Sequence, residues 1–578
     1  MVFRPGPLAG SLLEIPDTVP LCDFRLDERH GRRPIAESLD PFVCGISGRT
    51  VLVPQLKDRV DHLAKGLAQH VGWVANDGTE FDKVAVIFAP NTIDTLTISW
   101  AIHRLNGLSS PANAVYSAEE LQYQLDISRA TVLFTVPSLL PIALRAASKC
   151  NLNQDHVIIC EMPGEPQSSK GFRTVSNLIE QGATLPELDV LRWTKAQGRR
   201  QTAFLCFSSG TSGTPKAVMI SHYNVIANVL QIQLFEQHMR DAIEPGYRDV
   251  TLGLMPFSHI YGLVAICHIA VYRGDSIIVL PKFVFKDFLA SIERFKINTL
   301  SVVPPIIITM VKNKALCDQF NLTSVRQIMT GAAPLGQETA QEFASQYSNW
   351  VTRQGYGMTE TATAVTNTSP FDVWLGSSGC LLSGVEAKLL SPEGTEISAY
   401  NTPGELLVKA PSVVLGYLNN PKANAETFVD MADGRFVKTG DEVEFRKSPA
   451  GNEHVWVVDR IKELIKVKGL QVAPAELEAC LLEHLAVADC AVIPVADERA
   501  GELPKAFVVK SAAVATDDEN VVKQSILKRV EKAKSRHKWL AGGVEFVDII
   551  PKSPSGKILR RLLRDLERER RRDTKVKL

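Results

Sequence analysis

Residues 208–222 read SSGTSGTPKAVMISH. In that run Ser208, Ser209, Thr211, Ser212 and Thr214 offer hydroxyl donors and Lys216 adds a point charge. Gly210 and Gly213 permit backbone conformations closed to other residues. Such a loop gathers backbone N–H groups and one ammonium at a single place, which suits a polyphosphate. A flexible surface turn would also be rich in small residues. Here, however, apolar runs flank the loop at 202–207 and 217–220, and a plain linker has no use for a lysine at its end. A P-loop requires GxxxxGK[ST] opening a helix. In this chain Gly213 is followed by Thr-Pro-Lys and then by the strand-like AVMIS. The spacing therefore excludes a P-loop NTPase and predicts a loop between two strands that covers a nucleotide.

The surrounding pattern shows what must hold that loop. VAVIFA (84–89), ATVLFTV (130–136), HVIIC (156–160), DSIIVL (275–280) and NTLSVV (298–303) read as strands, with helical patterns at 94–105 and 139–150. This alternation predicts parallel βα units. After about residue 370 the runs VEAKLL, GELLVKA, GRFVKTGDEVEF and HVWVVD follow one another as strands, which predicts an antiparallel β subdomain. Pro474 stands at a first helical position, with Glu476 and Glu478 in the first turn and Leu477, Cys480 and Leu481 on one apolar face. CAVIPV (490–495) and AFVVK (506–510) are further strands. The fold class is thus α/β: a large N-terminal domain (1–459) of βα-type subdomains with an antiparallel β subdomain, and a small mobile α+β C-terminal domain (460–578). The C-terminal stretch from Ile558 reads as a solvated amphipathic helix ending in a basic tail.

At 578 residues the chain is too long for one ordinary core. Lys+Arg and Asp+Glu both total 64, so there is no bias toward polyanions and no nucleic-acid partner is expected. No apolar run is long enough to predict a membrane span, and the proline-broken N-terminus lacks a signal-peptide core. The ten cysteines are scattered without metal-ligand spacing, as expected of buried thiols in a reducing compartment.

Seven ordered motifs now carry a resemblance. SSGTSGTPKAVMISH is followed by PFSHIYGL (256–263), TGAAPLG (330–336), QGYGMTET (354–361), TGD (439–441), DRIKELIKVKGLQVAPAELE (459–478) and PKSPSGKILRR (551–561). Together they resemble the adenylate-forming, ATP-dependent AMP-binding enzymes over nearly the whole chain. VKGLQVAPAELE and PKSPSGKILRR look most like 4-coumarate–CoA ligases and fungal peroxisomal aryl- or acyl-CoA ligases, such as phenylacetyl-CoA ligase and ligases of toxin pathways. The resemblance implies an acid–thiol ligase using ATP, Mg²⁺ and CoA. A carboxylate attacks the α-phosphate to give acyl-AMP and pyrophosphate, and the CoA thiol then displaces AMP.

By that resemblance, Lys557 in SPSGK touches both the carboxylate and the α-phosphate. Residues 208–214 (Ser208, Ser209, Gly210, Thr211, Ser212, Gly213, Thr214) and Lys216 cover the phosphates. Gly355, Tyr356 and Gly357 form the adenine slot, and Tyr356 stacks on the base; Gln354, Gly331, Ala332 and Ala333 are also cofactor-binding candidates, the last three where the acyl pocket begins. Thr359 meets a phosphate oxygen, Glu360 holds Mg²⁺, Asp441 accepts from ribose hydroxyls, and Arg460 reaches ribose or phosphate. His259 gates the acyl and thiol sites, and Tyr261, Gly262, Ala265, Thr363 and Ala364 line the acyl pocket. Lys462 is the hinge about which the small domain turns, bringing the catalytic candidates Lys466 and Gln471 and the CoA-contacting pair Lys468-Gly469 toward the thioester tunnel.

Thr363 and Ala364 stand where plant coumarate ligases commonly have proline and valine, which argues against hydroxycinnamate. PFSH lacks the aspartate of amino-acid-activating domains. Aryl-acetic, medium-chain and polyunsaturated or polyketide-like acids of fungal secondary metabolism, including toxin or antibiotic pathways, remain as substrates. The alternatives are a stand-alone adenylation enzyme serving a carrier protein or oxygen, and a non-catalytic nucleotide-binding scaffold. The terminal VKL resembles the peroxisomal SKL signal, so a peroxisomal import receptor is an expected partner and the peroxisome the expected location, with the cytoplasm as alternative.

Overall fold

The computed structural model describes every residue except 1, 13, 166–170, 209–214, 469, 498, 554–555 and 577–578, together with the side chains of 571–576. Most of the loop read as phosphate-binding (Ser209–Thr214 by number), Gly469 and the last two residues of VKL therefore lie outside the described residues.

Val84–Phe88 is buried at every position, as expected of a strand covered on both faces. It sits inside a seven-stranded sheet, pairing in parallel with Leu108–Ala112 on one side and Val132–Thr135 on the other. Thr202–Ser208 joins that sheet and turns back, antiparallel, into Lys216–Ser221, so the loop after Ser208 is a strand–strand connection as its spacing requires. A second, nine-stranded sheet contains the parallel run Val351–Met358, Gln327–Thr330, Thr299–Val302, Val250–Gly253 and Ser276–Val279. The helix His222–Ile243, capped by the reciprocal Ser221/Asn224 box, has fourteen buried residues, seven of which join the hydrophobic core shared with this sheet.

The strands predicted after residue 370 form one antiparallel six-stranded sheet that includes Glu386–Leu390, Gly404–Lys409, Gly434–Lys447 and Glu453–Arg460. Phe3 stacks on Phe445 with ring centroids 3.9 Å apart, tying the N-terminal segment to that sheet. Beyond Arg460 a five-stranded sheet begins, carrying its own core under the helix Pro474–Leu482. Pro474 opens that helix, and Leu477, Cys480 and Leu481 are buried as predicted.

Two local expectations are corrected. Glu478 does not fall in the first turn with Glu476; it lies further along the helix, buried, and accepts two 2.7 Å bonds from Arg560. The terminal helix Arg560–Val576 is not solvated all round. Leu563 is buried with Ile493 and Phe507, and Glu567 pairs with Lys505, because the open face of the small sheet needs a cover. The ten thiols are unbonded, nine of them buried. Among the described residues no helix is long and apolar enough to cross a membrane.

Candidate active site

Most of the described candidate residues converge on a cavity of about 1210 Å³, larger than a single small-molecule site requires. At its upper end lie the C-terminal ends of Gln327–Thr330 and Val351–Met358, where parallel sheets place their ligands. Thr330 Oγ1 is buried there without a hydrogen-bond partner, a polar atom that a ligand would satisfy. Gly331, Ala332 and Ala333 follow it along the wall, and Ala332 holds a left-handed φ of 67°.

The adenine and ribose candidates are one unit. The Tyr356 hydroxyl donates to Asp441 Oδ2 at 2.6 Å, which fixes the ring that was read as a stacking platform. Arg460 Nε lies 3.6 Å from the other oxygen of Asp441. Burial pushes the Asp441 carboxyl up, while Arg460 and the Tyr356 hydroxyl pull it down. Gln354 also lines the wall, where its Oε1 accepts from Leu335 N–H at 3.0 Å and its Nε2 donates to Ser378 at 3.3 Å. The bond to Leu335 N–H ties it to the TGAAPLG loop.

Glu360 is buried in the turn Thr359–Thr361. Its Oε1 accepts from Ser208 at 3.2 Å and from the Tyr417 hydroxyl at 2.9 Å. Lys216 Nζ stands 4.6 Å over the Tyr417 ring, so the lysine that closes the phosphate loop is held by the ring whose hydroxyl binds Glu360. The Glu360, Ser208 and Thr359 oxygens are hard donors that fit a Mg²⁺ ion arriving with a polyphosphate. Among the described residues no group of three or more His, Cys, Asp or Glu could hold a metal without such help.

Lys557 reaches this site from the small C-terminal sheet. Its turn is closed by Ser553 N–H donating to the Lys557 carbonyl at 2.8 Å and by Gly556 N–H donating to Ser553. Gly556 abuts Val303, which docks the turn at the cavity rim. Burial, then the neighbouring Arg460, bring the Lys557 ammonium down to about 8, against the pull of Glu463, Asp441 and Glu360. The His259 ring is brought down to about 4, first by burial and then by Lys557. Sequence positions 259 and 557 thus meet across the cavity.

The acyl-pocket candidates lie below. Tyr261 opens a π-helical segment, Tyr261–His268, and its hydroxyl donates to the Met329 carbonyl at 3.1 Å. Ala265 lines the cavity from the same segment. Gly262 is required by packing, since a Cβ there would sit 2.3 Å from the Pro256 carbonyl oxygen. Thr363 and Ala364 also line the cavity: Thr363 donates to the Ile260 carbonyl at 3.1 Å, and Asn228 holds Ala364 N–H at 3.1 Å.

Lys466 and Gln471 are not brought to this cavity. They face each other across the hairpin Ile465–Val467/Leu470–Val472, and both are exposed. Lys468 is exposed beside them, and Lys462 lies at the rim. Sequence reasoning missed Tyr417, Glu463 and Asn228, which fix Glu360, bias Lys557 and clamp Ala364. Each is remote in sequence from the residue it serves, so even Glu463, which lies within the 459–478 motif, has no spacing that ties it to its partner.

Comparison with known proteins matches residues 39–418 to the AMP-binding enzyme family and 476–557 to the AMP-binding enzyme C-terminal domain. The acyl-CoA ligase easD of Emericella nidulans is 38% identical over 556 residues, covering 95% of this chain and 97% of that protein. The acyl-CoA ligase AFT1-1 of Alternaria alternata is 38% identical over 559 residues, covering 96% and 95%. Among solved structures, the anthranilate CoA ligase AuaEII in complex with anthranoyl-AMP superposes with a TM-score of 0.79 at 23% identity, covering 96% of this chain and 98% of that one.

Proposed function

This chain belongs to the AMP-binding enzyme family, and we propose that it is an AMP-forming acid–CoA ligase whose first step is run by Lys557. The observation that carries the reading is the meeting of Lys557 with Glu360, Asp441 and His259 at one cavity. A carboxylate oxygen attacks the α-phosphorus of ATP and the bond to the β-phosphate breaks, releasing pyrophosphate. Negative charge gathers from three sources in that step, so a preorganised ammonium and fixed N–H donors are the main requirement. Tyr356, held by Asp441, orients the nucleoside, and Lys216 stays with the phosphates. Glu360, Ser208 and Thr359 would hold Mg²⁺, which neutralises phosphate charge and polarises the phosphoryl oxygens. In the second step the CoA sulfur attacks the acyl carbonyl carbon, the thiol proton is lost and AMP leaves.

The exposed hairpin of Lys466, Lys468 and Gln471 serves that second step after the small domain (residues 460–578) turns about Lys462. Similarity to fungal acyl-CoA ligases supports an acid of fungal secondary metabolism, aryl, medium-chain or polyketide-like, as substrate. A panel of such acids, scored for CoA-dependent AMP release, tests the reading. At least one acid is expected to give a CoA thioester and AMP in equal amounts. AMP release without thioester would point to another acceptor, and no acid-dependent AMP release from folded protein would contradict the reading. The terminal VKL favours the peroxisome as the enzyme's compartment. An N-terminal fluorescent fusion should enter peroxisomes and lose that location when VKL is removed; a fusion that stays cytosolic contradicts it.

A further inference from the structure

Below Tyr261 the cavity does not end on apolar side chains. It continues down the strands Thr299–Val302 and Gln327–Thr330 to a floor that is a hydrogen-bonded chain. Arg353 binds Glu236 at 2.6 Å and donates to Gln327 Oε1 at 2.9 Å. Gln327 Nε2 donates to Thr299 Oγ1 at 3.0 Å, and Thr299 Oγ1 donates to Asp249 at 2.7 Å. Arg240 closes the chain by bridging Asp249 and Asp275, and Arg273 pairs with Glu236. Three guanidiniums thus face three carboxylates, so the floor carries no net charge.

That balance decides what can be seated on it. A bare hydrocarbon end would press methyl groups against polar atoms and desolvate them without replacement. A carboxylate end would add an unpaired charge to a balanced buried set, which is costly. A neutral oxygen fits: the Gln327 amide has a second N–H beyond its bond to Thr299, and the Thr299 hydroxyl has a second lone pair.

The length follows from the strand. From Gln327 at the floor to Thr330 at the adenylate end is three residues, roughly 10 Å at the usual strand rise. Three extended residues contain nine chain atoms, so an acyl chain of about that length spans the gap.

Resting on the ligase reading, we propose that the acid activated here is a chain of about nine atoms ending in a neutral oxygen group, a hydroxyl, carbonyl or amide, held by Gln327 and Thr299. The test compares kcat/KM, from CoA-dependent AMP release, for nonanoic acid, its ω-hydroxy derivative and the matching α,ω-dicarboxylic acid. The hydroxy acid is expected to exceed the plain acid by about tenfold, the worth of one good buried hydrogen bond, and the diacid to fall below both. Thr299→Val should bring the hydroxy-to-plain ratio close to one, and Thr299→Ser should keep it. If thermal unfolding shows Thr299→Val to be misfolded, Gln327→Met takes its place with the same expectation. Equal rates for the two monoacids, a leading diacid, or a ratio untouched by the substitution overturns this inference while leaving the ligase reading intact. Failure of every acid in the wider panel to release AMP overturns the ligase reading, and this inference with it.

Discussion

Lys557 is held in an environment that opposes its own charge. Burial and Arg460 bring its ammonium down to about 8, yet the first step needs it protonated. The cationic form is fully present below that value and is lost as pH rises through it. The kcat/KM for the acid should therefore fall on the alkaline side with an apparent pKa near 8, because kcat/KM reports the free enzyme. In Lys557→Arg the guanidinium stays charged and the alkaline limb should disappear, even where the overall rate is lower. An unchanged limb in that variant would assign it to another group. His259, brought down to about 4, is neutral through this range and adds no competing cation. Tyr356 and Asp441 show what motif reading leaves out at this scale. Each was identified from its own motif, but their 2.6 Å bond joins positions 85 residues apart, and short-range spacing contains no information about it.

At the scale of elements, strands and caps were the legible part. VAVIFA, DSIIVL and GELLVKA became strands because continuous β-rich runs between turn residues have few other ways to be buried. The strand–turn–strand around the phosphate loop followed from the order Gly213, Pro215, Lys216. The π-helical turn at Tyr261–His268 was not legible. Its apolar run YGLVAIC is hydrophobic all round and so has no period from which a widened turn could be read. The widening matters, because this segment places both Tyr261 and Ala265 on the acyl cavity. Thr363 was equally hidden. It holds a φ of 122°, rare for a branched residue, and its carbonyl oxygen lies where a Cβ on Gly357 would be only 1.6 Å away. Gly357 is thus set by a strand that begins six residues on, as much as by any nucleotide. The terminal helix misled because charged residues signal solvent unless an opposite charge is buried with them, and Lys505 supplies that charge to Glu567 from afar.

Over the whole molecule, the cavity is completed only when the small C-terminal sheet is docked. Lys557 enters across the rim at Val303. Lys312 of the large part donates to the carbonyls of Val487 and Ala488, at 2.8 and 3.3 Å, and so braces the same arrangement. This arrangement holds Lys557, the residue proposed for the first step, at the cavity and leaves Lys466 and Gln471 exposed, away from it. On the proposed two-step reading, the small domain would turn between the two chemistries. The most direct test separates the half-reactions in Lys557→Ala. Acid-dependent exchange of pyrophosphate into ATP should fall by about 100-fold or more, the usual cost of losing a preorganised charge at the reacting centre. Thioester formation from supplied acyl-adenylate and CoA should stay within a few-fold of the unaltered enzyme. Pyrophosphate exchange that survives the substitution unchanged would contradict the account.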